Sequence, residues 1–234
     1  MLIEYIATTI EDALIIEKSG ADRIELVSGL TEGGLTPSYG LIEKVVSSVS
    51  IPVNVMVRPH ANSFYYSKDD LAIMKKDIRT IGSLGANGVV LGMLDKEGHI
   101  DFQQLDELFT ETRKMEVTFH RAIDSSKNIV ESAGKLNQYP QIHTILTSGG
   151  HGDWPTRLET LVKIKESCPD TDILIGSGLT RDNIHEVHSL VGTGCYHFGT
   201  AVRHGNSVLQ SVSSEKAVEL VSIMRELAGH SKTK

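Results

Sequence analysis

Leu2-Ile3-Glu4-Tyr5-Ile6-Ala7-Thr8-Thr9-Ile10 opens the chain and reads as a β-strand that runs into a helix with no glycine between them. A doubly wound open sheet usually places a Gly-rich turn after its first strand. This junction has none. Working outward, the same unit recurs: a short β-rich run, a turn, then an amphipathic helical stretch. The further strands are expected at Arg23–Val27, Val53–Arg58, Val89–Leu94 and Glu116–Arg121, then at Thr144–Thr147, Ile173–Gly176 and Tyr196–Gly199. Helices fill the spaces: Ile10–Ser19, Tyr39–Ser48, Asp69–Leu84, Phe102–Arg113, Ile129–Asn137, Pro155–Ser167, Asn183–Leu190 and Glu215–Ala228. Eight uninterrupted alternations, roughly 29 residues each, predict one (β/α)8 TIM-like barrel domain over 1–234. An open α/β sheet is the alternative.

Local signals keep the same register. Asp101 and Ser214 stand where N-caps belong. Gly20 and Gly85 follow helix ends, where a left-handed residue is expected. Pro52 opens a strand, the position at which its missing N–H costs least. The tail Ser231–Lys234 is expected to be mobile.

Composition excludes several classes. With 40% apolar and 23% charged residues the chain is an ordinary globular one. Its 23 Lys plus Arg against 30 Asp plus Glu leave a net charge of -7, which disfavours nucleic-acid partners. No stretch approaches the roughly 20 apolar residues of a membrane helix, and Met1–Ala7 lacks the basic region of a signal peptide. Two cysteines, Cys168 and Cys195, make no disulfide framework, which points to the cytoplasm.

Barrel enzymes work at the C-terminal ends of their strands, so polar residues there matter most. Alternation sorts each strand into a lumen face and a helix face. If Glu4, Glu25, Arg58 and His120 face the lumen, so do Leu2, Val27, Asn54, Met56 and Thr118. The opposite set, Ile3, Tyr5, Ile24, Leu26, Val55, Val57, Val117 and Phe119, is then almost wholly apolar, as a surface under helices must be.

Two lumen carboxylates, Glu4 and Glu25, require a nearby cation. One reading is a structural ion pair of Arg58 with one or both of them. The other makes one glutamate an acid or base whose pKa its acidic neighbour raises. His120 ends strand five and is a candidate general acid or base, with Asp124 orienting either it or Arg121; the alternative is a histidine bonded to backbone. His197 on strand eight stands in a similar place. Gly-rich turns follow strands six to eight: Thr147-Ser148-Gly149-Gly150, Gly176-Ser177-Gly178 and Gly199-Thr200. Such turns cradle anions in this fold. With Arg58 and Arg121 as clamps, a small anionic ligand is expected.

Several segments resemble one family. Gly20-Ala21-Asp22-Arg23-Ile24-Glu25-Leu26, Glu32-Gly33-Gly34-Leu35-Thr36-Pro37-Ser38 and Val57-Arg58-Pro59 are similar to motifs of the CutC-type copper homeostasis proteins. So are Thr118-Phe119-His120-Arg121-Ala122-Ile123-Asp124 and Leu146-Thr147-Ser148-Gly149. The resemblance spans nearly the whole chain. It implies a TIM-like barrel, a cytosolic location, a homodimer and a connection with copper. Some members carry cysteines directly after the first two glutamates, suggested as Cu(I) ligands. Here those positions hold Ile6-Ala7 and Val27, so a thiolate site of that kind is not expected. Copper as a cofactor therefore rests on the resemblance only. An imidazole and carboxylate set, His120, His197 and Glu25, would suit a borderline divalent ion if all three converge. His60, His99, His151, His185, His188, His204 and His230 are expected in loops or on the surface.

Two functions follow as expectations. One is a cytosolic copper-homeostasis protein that binds the metal. The other is an enzyme acting on a small anionic metabolite, phosphorylated ones included. In it Glu25 and His120 form an acid/base pair supported by Glu4 and Asp124. Arg58, Arg121, Asn54, Thr147, Ser177, Gly178 and Gly199 hold the substrate. The loop Glu32–Pro37 carries Gly33-Gly34, which would permit it to act as a lid.

Overall fold

In the computed structural model, which describes residues 1–230, eight parallel strands close into a barrel in the order β1 to β8. The strands are β1 (Leu2–Ala7), β2 (Arg23–Leu26), β3 (Val53–Met56), β4 (Gly88–Leu91), β5 (Glu116–Phe119), β6 (Thr144–Thr147), β7 (Asp172–Ile175) and β8 (Cys195–Phe198). The helices are α1 (Ile10–Ser19), α2 (Tyr39–Val46), α3 (Lys68–Ser83), α4 (Phe102–Thr112), α5 (Ile129–Leu136), α6 (Trp154–Ser167), α7 (Ile184–Val191) and α8 (Ser214–His230). The expected tail Ser231–Lys234 lies outside the described residues. No helix among the described residues is long and apolar enough to cross a membrane.

The inward–outward alternation holds. Ile3, Tyr5, Ile24, Leu26, Val55, Val57, Val117 and Phe119 all belong to the large core between barrel and helices. Ile6, Val27, Met56 and Val90 form a separate cluster inside the barrel, and Leu2, Leu146, Leu174 and Cys195 another. A strand with period-two side chains must divide its residues this way once both faces are covered.

Helix starts follow local chemistry. Thr9 and Asp101 accept hydrogen bonds from the N–H groups of Asp12 and Gln104. α3 begins with a reciprocal capping box between Ser67 and Asp70. Gly20 ends α1 at φ 85°, a conformation that an L side chain resists. At α8 the expected cap shifts by one: Ser214 is already helical, and the Ser213 hydroxyl accepts from Lys216 N–H at 3.4 Å.

Strand ends depart from the expected spans for a reason that concerns the site. β3 stops at Met56, although Val57 N–H still donates to Val90 O at 2.8 Å. The next N–H, that of Arg58, leaves the ladder and donates to Thr36 Oγ1 at 2.9 Å. Arg58 and His120 thus stand just past the ends of β3 and β5, whereas Glu25 and His197 still lie within β2 and β8. Buried Arg203 locks the barrel's closing seam, donating from Nη2 to Asp12 Oδ2 (3.1 Å) and Ile6 O (3.0 Å).

Candidate functional site

Glu4 organises the barrel interior. In the ladder it lies beside Arg23 of β2 and beside His197 of β8. Arg23 Nε donates to Glu4 Oε2 at 2.5 Å, and His197 Nδ1 lies 2.7 Å from Glu4 Oε1. Both carboxylate oxygens are therefore engaged. Burial pushes the Glu4 carboxyl up, but the Arg23 charge and the His197 hydrogen bond and charge outweigh it and hold the pKa at about 2. Glu4 stays ionised.

Glu25 lies two residues beyond Arg23 on the same face of β2, one layer nearer the strand ends. Its Oε2 is 3.8 Å from His197 Nε2, and its Oε1 is buried without a hydrogen-bond partner. Burial raises the Glu25 carboxyl to about 7, and the negative charge of Glu4 adds to this. His197 and Arg23 pull in the other direction without cancelling it. Burial alone would lower His197, yet Glu25 and Glu4 raise it. Glu25 and His197 therefore face each other at 3.8 Å as a carboxyl and an imidazole that are both shifted upward, with the ionised Glu4 carboxylate behind the ring.

Above this pair opens a cavity of about 360 Å³ at the C-terminal ends of the strands. Glu25, His197, His120, Arg58, Arg121 and Asp124 line it, together with Ser177, Gly178 and Gly199. Ile6, Val27, Met56 and Phe64 add an apolar wall. The turn after β7 is left-handed at Ser177 (φ 63°) and Gly178 (φ 90°), and Arg157 Nη2 fixes it through Ser177 O at 2.6 Å.

Other expected residues take different places. Arg58 pairs with neither glutamate. Its Nη1 donates to Glu32 O (2.7 Å) and Gly34 O (3.0 Å), and its guanidinium stacks on Phe64 at 4.9 Å. Arg58 thereby pins the loop Glu32–Pro37, whose Glu32 and Gly33 line the cavity. The partner of Glu4 is Arg23, which the expectation overlooked. It shares the parity of Glu25 and Val27, and that parity was the available signal.

Asn54 and Thr147 do not line the cavity. Asn54 faces the N-terminal end of the barrel, where its Oδ1 accepts from Asn87 Nδ2 at 2.9 Å in a network that includes Glu116. Thr147 lies beneath Asp124 and donates to its Oδ1 at 2.6 Å.

Asp124 orients Arg121, not His120. It accepts from Arg121 Nε (2.9 Å), Ser148 N (3.1 Å) and Ser148 Oγ (2.7 Å) besides Thr147. One buried carboxylate thus ties the β5 end to the Gly-rich turn after β6. Asp124→Ala would strand the Thr147 and Ser148 donors, and we expect a loss of about 2–4 kcal/mol in urea denaturation. A loss below about 1 kcal/mol would show that water replaces these bonds.

The convergent set of possible metal ligands also differs from the expected one. Glu4, Glu25 and His197 each place a ligand atom within 4.8 Å of the others, and His120 is not among them. His151 is exposed and in a loop, as expected, and that loop brings it to the cavity lining. Cys168 and Cys195 are buried and absent from its lining, and burial pushes Cys195 up to about 12.

Comparison with known proteins gives the family. The family model described as the CutC family matches residues 1–202. The chain belongs to the CutC family. A family protein CutC of Proteus mirabilis is 40% identical over 190 residues, covering 78% of this chain and 76% of the relative. One from Photorhabdus laumondii is 38% identical over 195 residues, covering 80% and 78%. Among solved structures, a CutC of Streptococcus agalactiae superposes with a TM-score of 0.79 at 29% identity, covering 86% of this chain and 98% of that one. Its name provisionally assigns that protein to copper homeostasis. An N-(5'-phosphoribosyl)anthranilate isomerase of Pyrococcus furiosus shares the fold with a TM-score of 0.63 at 17% identity, covering 97% and 99%. At that identity the likeness speaks for the barrel alone.

Proposed function

We propose that this CutC-family barrel is an enzyme that binds a small anionic metabolite in the cavity and exchanges a proton with it through Glu25. The observation that carries this reading is the Glu25 carboxyl. It is buried at the cavity floor with Oε1 unpartnered, raised to about 7, and backed by the His197–Glu4–Arg23 chain. A carboxyl tuned to neutrality is suited to proton transfer. Arg121 at the rim and the left-handed turn at Ser177-Gly178 supply positive potential and room for close approach by an anion. A thermal-shift screen of phosphorylated and carboxylated metabolites tests it. We expect at least one to raise the melting temperature, and Arg121→Met to reduce that shift. If no anion in the screen stabilises the protein, the reading falls.

A second reading is favoured by the convergence of Glu4, Glu25 and His197: a copper-homeostasis role, the one the name of the Streptococcus agalactiae protein gives provisionally for that protein, which we propose for a cytoplasmic homodimer. The donor set limits it. Glu4 already has both oxygens occupied, so His197 Nε2 and Glu25 remain, with Glu4 behind His197 as an orienting carboxylate. Nitrogen and oxygen donors suit a divalent ion. They do not suit Cu(I), for which the cavity offers no thiolate. Equilibrium dialysis should then show Cu(II) retained by the parent and released by His197→Ala, with Cu(I) retained by neither. Equal retention by parent and variant would remove His197 from any copper site.

A further inference from the structure

We infer that His120 presents Nε2–H to the cavity as a fixed, neutral hydrogen-bond donor, and that the substrate carries a carbonyl group whose neighbouring C–H proton Glu25 removes. The inference rests on the acid/base reading of Glu25 above and narrows it to a reaction class.

The ring's protonation follows from its surroundings. The Ala122 N–H donates to His120 Nδ1 at 3.2 Å, so Nδ1 holds a lone pair and no proton. A neutral ring must then carry its proton on Nε2. That atom is buried, has no partner within the protein, and belongs to a residue lining the cavity. The ring cannot readily turn to exchange the two nitrogens. A Cβ built on Gly92 would come within 2.5 Å of Nδ1, and the rings of Phe64 and Phe119 lie 5.2 and 6.2 Å from that of His120. Burial, with the Arg58 and Arg121 charges, lowers the imidazole to about 3, so it stays neutral.

A neutral imidazole of this kind does little as a base, because its free nitrogen is already used by backbone. As a ligand for a metal it would have to shed the Nε2 proton and lose the Ala122 bond. What it can do is stabilise negative charge that develops on an oxygen. A neutral histidine donor and a carboxylate base lining one cavity form a pairing that serves enolisation, and triosephosphate isomerase is the general example.

The step balances without a further reactant. The Glu25 carboxylate takes the proton from carbon, the C–H electron pair becomes a C=C bond, and the carbonyl π pair moves onto oxygen. The oxyanion accepts the Nε2–H bond. Where that carbon also bears a hydroxyl, the oxyanion takes the hydroxyl proton, the hydroxyl oxygen becomes the new carbonyl, and Glu25 returns its proton to the former carbonyl carbon, which completes an isomerisation.

Two measurements on the full chain test this. Long-range 1H–15N NMR at pH 7, assigned with His120→Gln, should show a protonated Nε2 and an unprotonated Nδ1 for His120. A proton on Nδ1, or on both nitrogens, overturns the inference whatever the variants do. The second measurement is binding of phosphoglycolohydroxamate, a phosphorylated mimic of an enediolate, with inorganic phosphate as control. We expect His120→Ala to weaken the mimic by about tenfold or more and to leave phosphate unchanged. If both ligands bind the parent and neither depends on His120, the donor role fails while anion binding stands. If the mimic does not bind the parent, this inference fails, and the thermal-shift screen decides separately whether the anion reading stands.

Discussion

At pH 8 the Glu25→Gln protein is expected to melt higher than the parent, although the substitution falls at the centre of the candidate site. Burial raises the Glu25 carboxyl from 4.5 to about 7 in the folded state. The folded protein therefore binds this proton more tightly than the unfolded chain does. Its contribution to stability is greatest below about pH 4.5 and is lost as the pH rises to about 7. A shift of that size corresponds to about 3 kcal/mol at pH 8, which glutamine, with no charge to desolvate, recovers. In a chain of this length that is a rise of up to about 10 °C. At pH 5 the two proteins should differ little. Calorimetry at both pH values decides it, and a Gln variant less stable at pH 8 would show that His197 fully compensates the ionised carboxylate. The expected gain reflects a general cost: a residue poised for chemistry is kept where its charge is poorly solvated.

Glu4→Gln should act in the opposite direction and more strongly. Glu4 and Arg23 are both buried, and removing the carboxylate leaves the guanidinium without its closest partner. Breaking such a pair from one side costs about 3–5 kcal/mol, or a fall of about 10 °C or more. The pH dependence has its own sign. Glu4 is held at about 2, below its ordinary 4.5, so its contribution is present above about pH 4.5 and disappears as the pH falls towards 2. The gap between parent and variant should accordingly narrow in acid. Urea denaturation at pH 7 and pH 3 measures it. An equal gap at both pH values would mean that shape, not charge, makes Glu4 valuable. The variant should also release His197, whose Nδ1 then lacks the oxygen that orients it.

The contrast between these two glutamates was only half legible in the chain. Both were readable as lumen carboxylates, because alternation along a strand is a local property. Their different roles depend on neighbours supplied by other strands. Ladder register sets Arg23 and His197 on either side of Glu4, whereas Glu25 has Ile6 beside it in β1. Arg58 was misplaced for a related reason. It follows β3 with the right parity, but the chain leaves the sheet there and the guanidinium finds the carbonyls of Glu32 and Gly34. His120 was readable as a rim residue. Which nitrogen carries its proton depends on the Ala122 N–H, presented by the short turn that His120 itself caps.

What the amino-acid sequence determined by itself was the barrel, its two faces and most of the charged and imidazole side chains that line its mouth. Period-two and period-3.6 patterns, caps and turn residues are encoded within a few positions of each other, so they survive without knowledge of distant contacts. Only the tertiary structure decided which charges meet. His197 and Glu4 stand 193 residues apart and touch because the barrel closes between β8 and β1. The stagger of that closure is a property of the whole ring of strands, not of either strand alone. The ionised state of Glu4, the raised pKa of Glu25 and the fixed proton of His120 all follow from such juxtapositions.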